Sequence, residues 1–352
     1  MTHHNIPVFI PHYGCPFRCV FCDQKAITGQ SRMTPEIAKK EIQDCLSTMG
    51  PGEEAEIAFF GGTFTGLPAD LQTAYLDLAA EYVRNPEPDR ARVTGIRMST
   101  RPDFITGEVI RRLSRYPVSA VELGIQSLDD RVLDASGRGH SARRSLEAAG
   151  QLMEAGIPWV AQLMVGLPGS TPESEIQSAQ TVCDHGASAA RIYPVVVFAG
   201  TELAERMRNG EYTPLSEDEA VTRGASMLRI FRDRHVPVLR IGLCASEQLT
   251  DPASALGGPN HPALGDLIRS RLLYEEAEDA IRSSGIPEGD SSITLDVPRG
   301  TLSLCIGQNR RNLKDLKRKF ALKHIYFREC GTETVTVSVQ DSRTGNGGQP
   351  CT

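Results

Sequence analysis

Short apolar runs alternate with longer amphipathic stretches through the first 245 residues, and this alternation restricts the chain to repeated strand–helix units around a parallel sheet. The runs predict strands over 7–11, 55–60, 93–98, 120–125, 159–165, 190–197 and 236–241. Helices fill the gaps. Thr34, Pro35 and Glu36 supply a cap, a first-turn proline and an acid, followed by Ile37, Ile42, Cys45, Leu46 and Met49 at helical spacing. Ser216 and Glu219 read as a capping box before Val221, Met227, Leu228 and Phe231. The unusual residues fall just after the predicted strands: a cysteine loop after the first, Gly61-Gly62-Thr63 after the second and Ser99 to Asp103 after the third. Gln126 and Ser127 follow the fourth, Gly166 to Gly169 the fifth and Gly200-Thr201 the sixth. In barrels of parallel strands the working groups gather at the strands' carboxyl ends. The expected architecture is therefore α/β, a partial (βα)6 TIM-type barrel with one mouth.

The 352 residues are enough for such a domain at 1–245 and a small appendage. Turn signals at Asp251-Pro252, Gly257-Gly258-Pro259 and His261-Pro262 mark 246–290 as a connector with one helix over 264–283. Beyond it, 291–340 reads as strand 292–297, strand 301–305, helix 309–320, strand 324–329 and strand 334–339, and 341–352 as a disordered tail. The chain's charge is −6, unevenly spread. The 291–340 module carries nine Lys and Arg against four acids, a local +5 that leaves −11 on the rest. No apolar run reaches the roughly 20 residues that span a bilayer, and the N-terminus lacks the build of a signal peptide, so a cytoplasmic location is expected.

Chemistry enters with Cys15, Cys19 and Cys22, a C-x3-C-x2-C run behind the first strand. Three thiolates on one tight loop can hold three irons of a 4Fe-4S cluster and leave the fourth iron open. Zinc is the competing metal, although a structural zinc takes four ligands and no fourth Cys or His follows at the usual spacing. Nine cysteines in a long chain without a secretory signal fit a disulfide framework poorly. Two glycines at 61–62 read either as a tight turn or as a place where backbone approaches a ligand. Strand alternation puts Glu122 and Gln126 on one side of their strand and Val121, Leu123 and Ile125 on the other. An acid on the barrel-lining side needs a polar partner. Cys244, after the last strand, could donate a hydrogen atom, ligate a metal or simply pack.

The cysteine run, with Phe21 before its last cysteine, resembles the signature of radical S-adenosylmethionine (SAM) enzymes. GGTFTGLP at 61–68, STRPD at 99–103, VELGIQS at 121–127, RGH at 138–140, IYP at 192–194 and Gly200-Thr201 narrow the resemblance. They are similar to the radical domain of the Elongator catalytic subunit and its small bacterial relatives, although that family spaces its cluster cysteines differently. The resemblance implies a 4Fe-4S cluster on Cys15, Cys19 and Cys22, and SAM held by Phe21, Gly61, Gly62, Thr63, Ser99, Glu122 and Gln126. It puts Arg101, Arg138, His140 and Tyr193 on the substrate side. It further implies a 5′-deoxyadenosyl radical and an electron donor of the flavodoxin or ferredoxin type. Nothing after Ala245 resembles the acetyltransferase domain of that family.

In its place, 304–320 resembles the strand, glycine turn and helix of a KH RNA-binding domain, whose glycine loop clamps the nucleotide backbone. Gly307 keeps one of the two expected glycines and Arg310 stands at the other; with Arg311, Lys314 and Lys317 they form the expected RNA contact. The expected function is modification of RNA, most plausibly tRNA. A small-molecule radical enzyme of the oxygen-independent coproporphyrinogen oxidase kind and a non-catalytic iron–sulfur RNA-binding protein are the alternatives.

Overall fold

The structure, a computed structural model, describes residues 3–10, 19–22, 33–243, 249, 251–285 and 292–339. Cys15, Cys244 and the 341–352 tail lie outside them. The chain divides into two compact units, one made of 1–223 and 230–262, the other of 224–229 and 263–352. No helix among the described residues is long and apolar enough to cross a membrane.

The first unit holds β1 (His3–Ile10), β2 (Glu54–Gly61), β3 (Arg92–Thr100), β4 (Val118–Gln126), β5 (Trp159–Val165), β6 (Ala189–Pro194), β7 (Val197–Phe198), β8 (Val238–Ile241) and β9 (Ala255–Gly257). Between them run α1 (Pro35–Ser47), α2 (Ala69–Arg84), α3 (Gly107–Leu113), α4 (Asp130–Ala135), α5 (Ala142–Glu154), α6 (Pro172–Asp184), α7 (Glu202–Arg208) and α8 (Glu217–Asp233), the last crossing between the units. Seven strands form one sheet in the order β1-β2-β3-β4-β5-β6-β8, every neighbouring pair parallel. The sheet curls into a partial TIM-type barrel. Its seven strands correspond to the seven predicted runs. The predicted run 190–197 is cut at Pro194, beyond which Val197 and Phe198 pair antiparallel with β9. Thr34 caps α1 and Ser216 with Glu219 forms the capping box of α8, as the sequence predicts.

The alternation on each strand divides the interior. Val121, Leu123 and Ile125 are fully buried in the apolar layer, while Glu122, Gly124 and Gln126 face a cavity inside the curl. The loop after β2 is held from behind. Phe64 stacks on Phe59 with ring centroids 5.0 Å apart, and Phe59 meets Tyr75 of α2 at 5.5 Å. Gln72 of α2 donates to the carbonyls of Thr65 (2.9 Å) and Leu67 (2.7 Å).

In the second unit, α9 (Leu264–Ser283), α10 (Leu302–Ile306) and α11 (Arg311–Lys319) cover one face of a sheet of order β11-β10-β12. The strands are β10 (Ser292–Pro298), β11 (His324–Cys330) and β12 (Thr336–Val339), with β10 parallel to β11 and antiparallel to β12. Leu273, Ala277 and Ile281 of α9 pack with Ile293, Leu295, Val297 and Ile325 of the sheet. The strand expected over 301–305 is a helix. Glu329 of β11 explains the difference: its Oε1 accepts from the amides of Gly300 (3.0 Å) and Leu302 (3.3 Å), so a carboxylate distant in sequence caps the turn.

Replacing Phe64 by Ala removes a fully packed ring and is expected to cost about 3–5 kcal/mol. Ile37→Ala, at an exposed position of α1, is expected to stay within about 0.5 kcal/mol. Urea unfolding of the full chain measures both.

Candidate active site

The cavity inside the curled sheet has a volume of about 660 Å³, within the usual range of small-molecule sites. Its wall brings together Cys19, Phe21, Cys22, Gly61, Gly62 and Thr63, which come from two different loops. Parallel strands make this possible by putting the loops after β1 and β2 at the same end. Gly61 closes β2 at φ +101°, a backbone conformation that a side chain disfavours.

The cysteine loop is pinned to the body. Val20 donates its amide to the Ser136 carbonyl (3.1 Å), and its own carbonyl accepts from the Leu203 amide (2.8 Å). The Cys22 amide donates to the Cys19 carbonyl (3.0 Å), closing a turn that holds the two thiols on one loop. Among the described residues no set of three His, Cys, Asp or Glu side chains is assembled for a metal, and Cys15, the third of the run, lies outside them.

Two buried arginines converge on Cys19. Arg138 Nη1 donates to its Sγ at 3.2 Å, and Arg101 Nη1 lies 3.9 Å from the same sulfur. Arg101 is balanced by a forked pair with Asp103, both bonds 3.0 Å. Arg138, 5% exposed, donates to the carbonyl of Gly124, and among the described residues no carboxylate is one of its hydrogen-bond partners. A buried cation without a counter-charge is costly, so this corner of the cavity favours an anionic group. The two arginines sit against Cys19 of the cysteine loop.

His140 stands behind them. Its Nε2 lies 3.3 Å from Arg138 Nη2, and it is absent from the cavity wall. Burial first, then the charges of Arg138 and Arg101, pushes its pKa down from 6.5 to about 4. A neutral ring accepting at Nε2 orients Arg138, which differs from the contact with substrate that the sequence suggested.

Glu122 is 1% exposed and sits in a belt of alternating charge. Arg191 of β6 donates to it at 2.9 Å and Arg97 of β3 at 3.5 Å, while Arg97 also pairs with Glu56 of β2 at 2.8 Å. Gln162 of β5 donates to Glu122 Oε2 (2.8 Å) and reaches Ser99 Oγ (3.3 Å), which donates to the same carboxylate at 3.4 Å. Tyr193 lines the cavity with its hydroxyl 3.5 Å from Arg191 Nη1. Sequence reasoning missed Arg97, Gln162 and Arg191. The alternation that selected Glu122 also selects them, since each lies on the inward parity of its own strand.

Around this cavity Gln126 Oε1, Arg138 Nε and Arg191 Nε are buried without a hydrogen-bond partner, and all three residues line it. Buried polar atoms are rarely left unpaired. These three atoms are one acceptor and two donors held unpaired within the lining residues. In the second unit, Gly307, Gln308, Asn309 and Arg310 form the turn between α10 and α11, with Asn309 at φ +53° and Arg310 at φ +60°. Arg310, Arg311 and Lys314 are exposed on the turn and the helix behind it, and Lys317 is half-buried.

Residues 9–182 match the Radical SAM superfamily and 187–274 the Radical_SAM C-terminal domain. The chain is similar to the tRNA uridine(34) acetyltransferase of Dehalococcoides mccartyi, 28% identical over 233 residues, 57% of this chain and 50% of that protein. It is also similar to Elongator complex protein 3 of Dictyostelium discoideum, 28% identical over 240 residues, 61% of this chain and 43% of that one. Among solved structures, the archaeal Elp3 of Methanocaldococcus infernus shares the fold at TM-score 0.61 and 19% identity, over 82% of this chain and 69% of that one. The chain spans about half the length of the curated relatives it matches.

Glu122→Ala leaves Arg191 and Arg97 facing each other without their shared acid and is expected to cost about 3–5 kcal/mol in urea unfolding. Because the pKa of His140 is lowered on folding, its contribution to stability is full above pH 6.5 and is lost as pH falls toward 4. The unfolding midpoint of wild type should fall across that window, and the fall should be shallower in His140→Gln.

Proposed function

The chain belongs to the radical SAM superfamily, and from that premise we propose that it is a radical SAM enzyme that modifies RNA, with tRNA as the substrate. One observation carries the reading of the first unit. The cysteine loop, the glycine turn after β2 and the inward polar side chains of β3 to β6 line one cavity, and three buried polar atoms of its lining residues lack a partner. Cys15, Cys19 and Cys22 would hold a 4Fe-4S cluster. Phe21, Gly61, Gly62, Thr63, Ser99, Glu122 and Gln126 would hold SAM. When bound and reduced by a flavodoxin or ferredoxin, such a cluster supplies the electron that cleaves the sulfonium of SAM to a 5′-deoxyadenosyl radical.

The chain's own residues position and protect. The glycine turn presents backbone amides and carbonyls with no side chain in the way. Gln126 offers its free Oε1 to a donor of the ligand. Glu122, already neutralised by Arg97 and Arg191, acts as a hydrogen-bond acceptor of fixed direction and not as a mobile base. Arg138, oriented by His140, and Arg101 supply positive charge beside the cysteine loop. Tyr193 and Arg191 stand further along the wall, toward β8, as candidates for the second substrate. The apolar layer outside the curl keeps bulk water from the reacting groups.

RNA as the substrate is supported by the names of the relatives and by the second unit, whose basic turn and helix carry Gly307, Arg310, Arg311, Lys314 and Lys317 beside a helix N-terminus. Anaerobically reconstituted wild type is expected to form 5′-deoxyadenosine under strong reductant. Cys19→Ala should lose both the iron absorbance and that product. Reconstituted wild type without the product would sink the proposal. Arg310→Ala with Lys314→Ala should weaken tRNA binding and flatten its salt dependence, by about one unit of slope for each phosphate no longer neutralised. Nucleoside mass spectrometry of tRNA from cells lacking the protein identifies the modified position.

A further inference from the structure

The second unit has a sheet face that its helices leave uncovered. Ile293, Leu295 and Val297 of β10 and Ile325 of β11 point to the helices and are buried. The opposite parity carries Ser292, Thr294 and Asp296 on β10, His324, Tyr326 and Arg328 on β11, and Thr336 and Ser338 on β12. The registers pair Ser292 with His324, Thr294 with Tyr326 and Asp296 with Arg328, so these side chains form two adjacent rows.

Two rings stand side by side at the open edge. The centroids of His324 and Tyr326 are 6.0 Å apart with their planes 34° from parallel. Tyr326 is 48% exposed, more than any other large aromatic among the described residues, and His324 is exposed beside it. A lone exposed tyrosine on an edge strand is ordinary. A pair of rings on a face that carries no aliphatic side chain among the described residues is not, because a protein-docking patch would present aliphatic anchors around its aromatics. Here the residue across from Tyr326 is Thr294, a small side chain that is itself buried. The face ends at a forked Arg328–Asp296 pair (2.6 and 2.8 Å) that cancels its own charge.

One basic side chain adjoins the rings in sequence: Lys323 immediately precedes His324 and is exposed. Arg318 and Lys319 are committed to Asp315 and Glu278. Flat π faces and an adjacent lysine match an unpaired nucleobase on a phosphate backbone.

We propose that His324 and Tyr326 form a stacking platform for one or two unpaired bases of a single-stranded RNA segment, with Lys323 at the phosphate. This deepens the RNA reading of the second unit and rests on it. The platform lies on the sheet face opposite the helices, and its contribution is set by ring overlap, not by ion release.

The test uses the full chain and a short single-stranded RNA containing 2-aminopurine, whose fluorescence falls on stacking. Wild type should bind and quench it. Tyr326→Ala should lose the quench and weaken binding about 5-fold to 100-fold at unchanged salt slope. Tyr326→Phe, which keeps the ring, should retain both, and His324→Ala should lose part of each. Thermal unfolding of each variant checks that this exposed position leaves the fold intact. Binding and quenching unaltered in Tyr326→Ala and His324→Ala would overturn the platform while leaving the RNA reading in place. Failure of wild type to bind any RNA would remove both.

Discussion

Glu122 is a buried carboxylate on the inner side of a barrel, and the sheet tolerates it only because guanidinium groups meet it from two other strands. Glu56, Arg97, Glu122 and Arg191 alternate in sign across β2, β3, β4 and β6, and Gln162 adds a contact from β5. A slip of one residue in any of these strands would turn its polar member into the apolar layer. The belt therefore does for register what a hydrophobic core cannot do alone, since apolar side chains are interchangeable and these charges are not. It also stiffens the cavity wall: no member can move without leaving a partner buried and unpaired.

Once the register is set, parallel topology does the rest. Every strand ends at the same rim, so loops far apart in sequence arrive as neighbours. The cysteine loop is tied down through both sides of the Val20 peptide, and the glycine turn is tied down by Gln72 and the Phe59–Phe64–Tyr75 cluster. The positive corner near Cys19 is prepared in the same way, through Asp103 and His140.

Most of the first unit was legible because its signals are local and repeated. Apolar runs mark strands, caps mark helices, and the same alternation that puts Val121 in the core puts Glu122 in the cavity. The belt itself was only half legible: Glu122 could be read as needing a partner, but which cation answers it depends on strand order and not on sequence distance. The break at Pro194 belongs to the same class, because one apolar run can serve two sheets. In the second unit, Thr301 to Cys305 misled because five residues hold too little periodicity to separate strand from helix, and the deciding group, Glu329, lies on a later strand. His140 shows the remaining limit. Its neighbours in sequence suggested a place facing substrate, whereas tertiary packing puts it behind an arginine.

Arg310 occupies a left-handed backbone position, where a residue with a Cβ carries a penalty of about 1–2 kcal/mol and glycine carries none. The chain thus tolerates local strain to hold a guanidinium at the tip of a turn that would close more easily without one. At this single position, conformational ease and surface charge make opposite demands. Drift toward the glycine pattern would relax the turn and discharge it at the same time, so persistence of arginine there would mark selection for the charge and against the comfort of the fold.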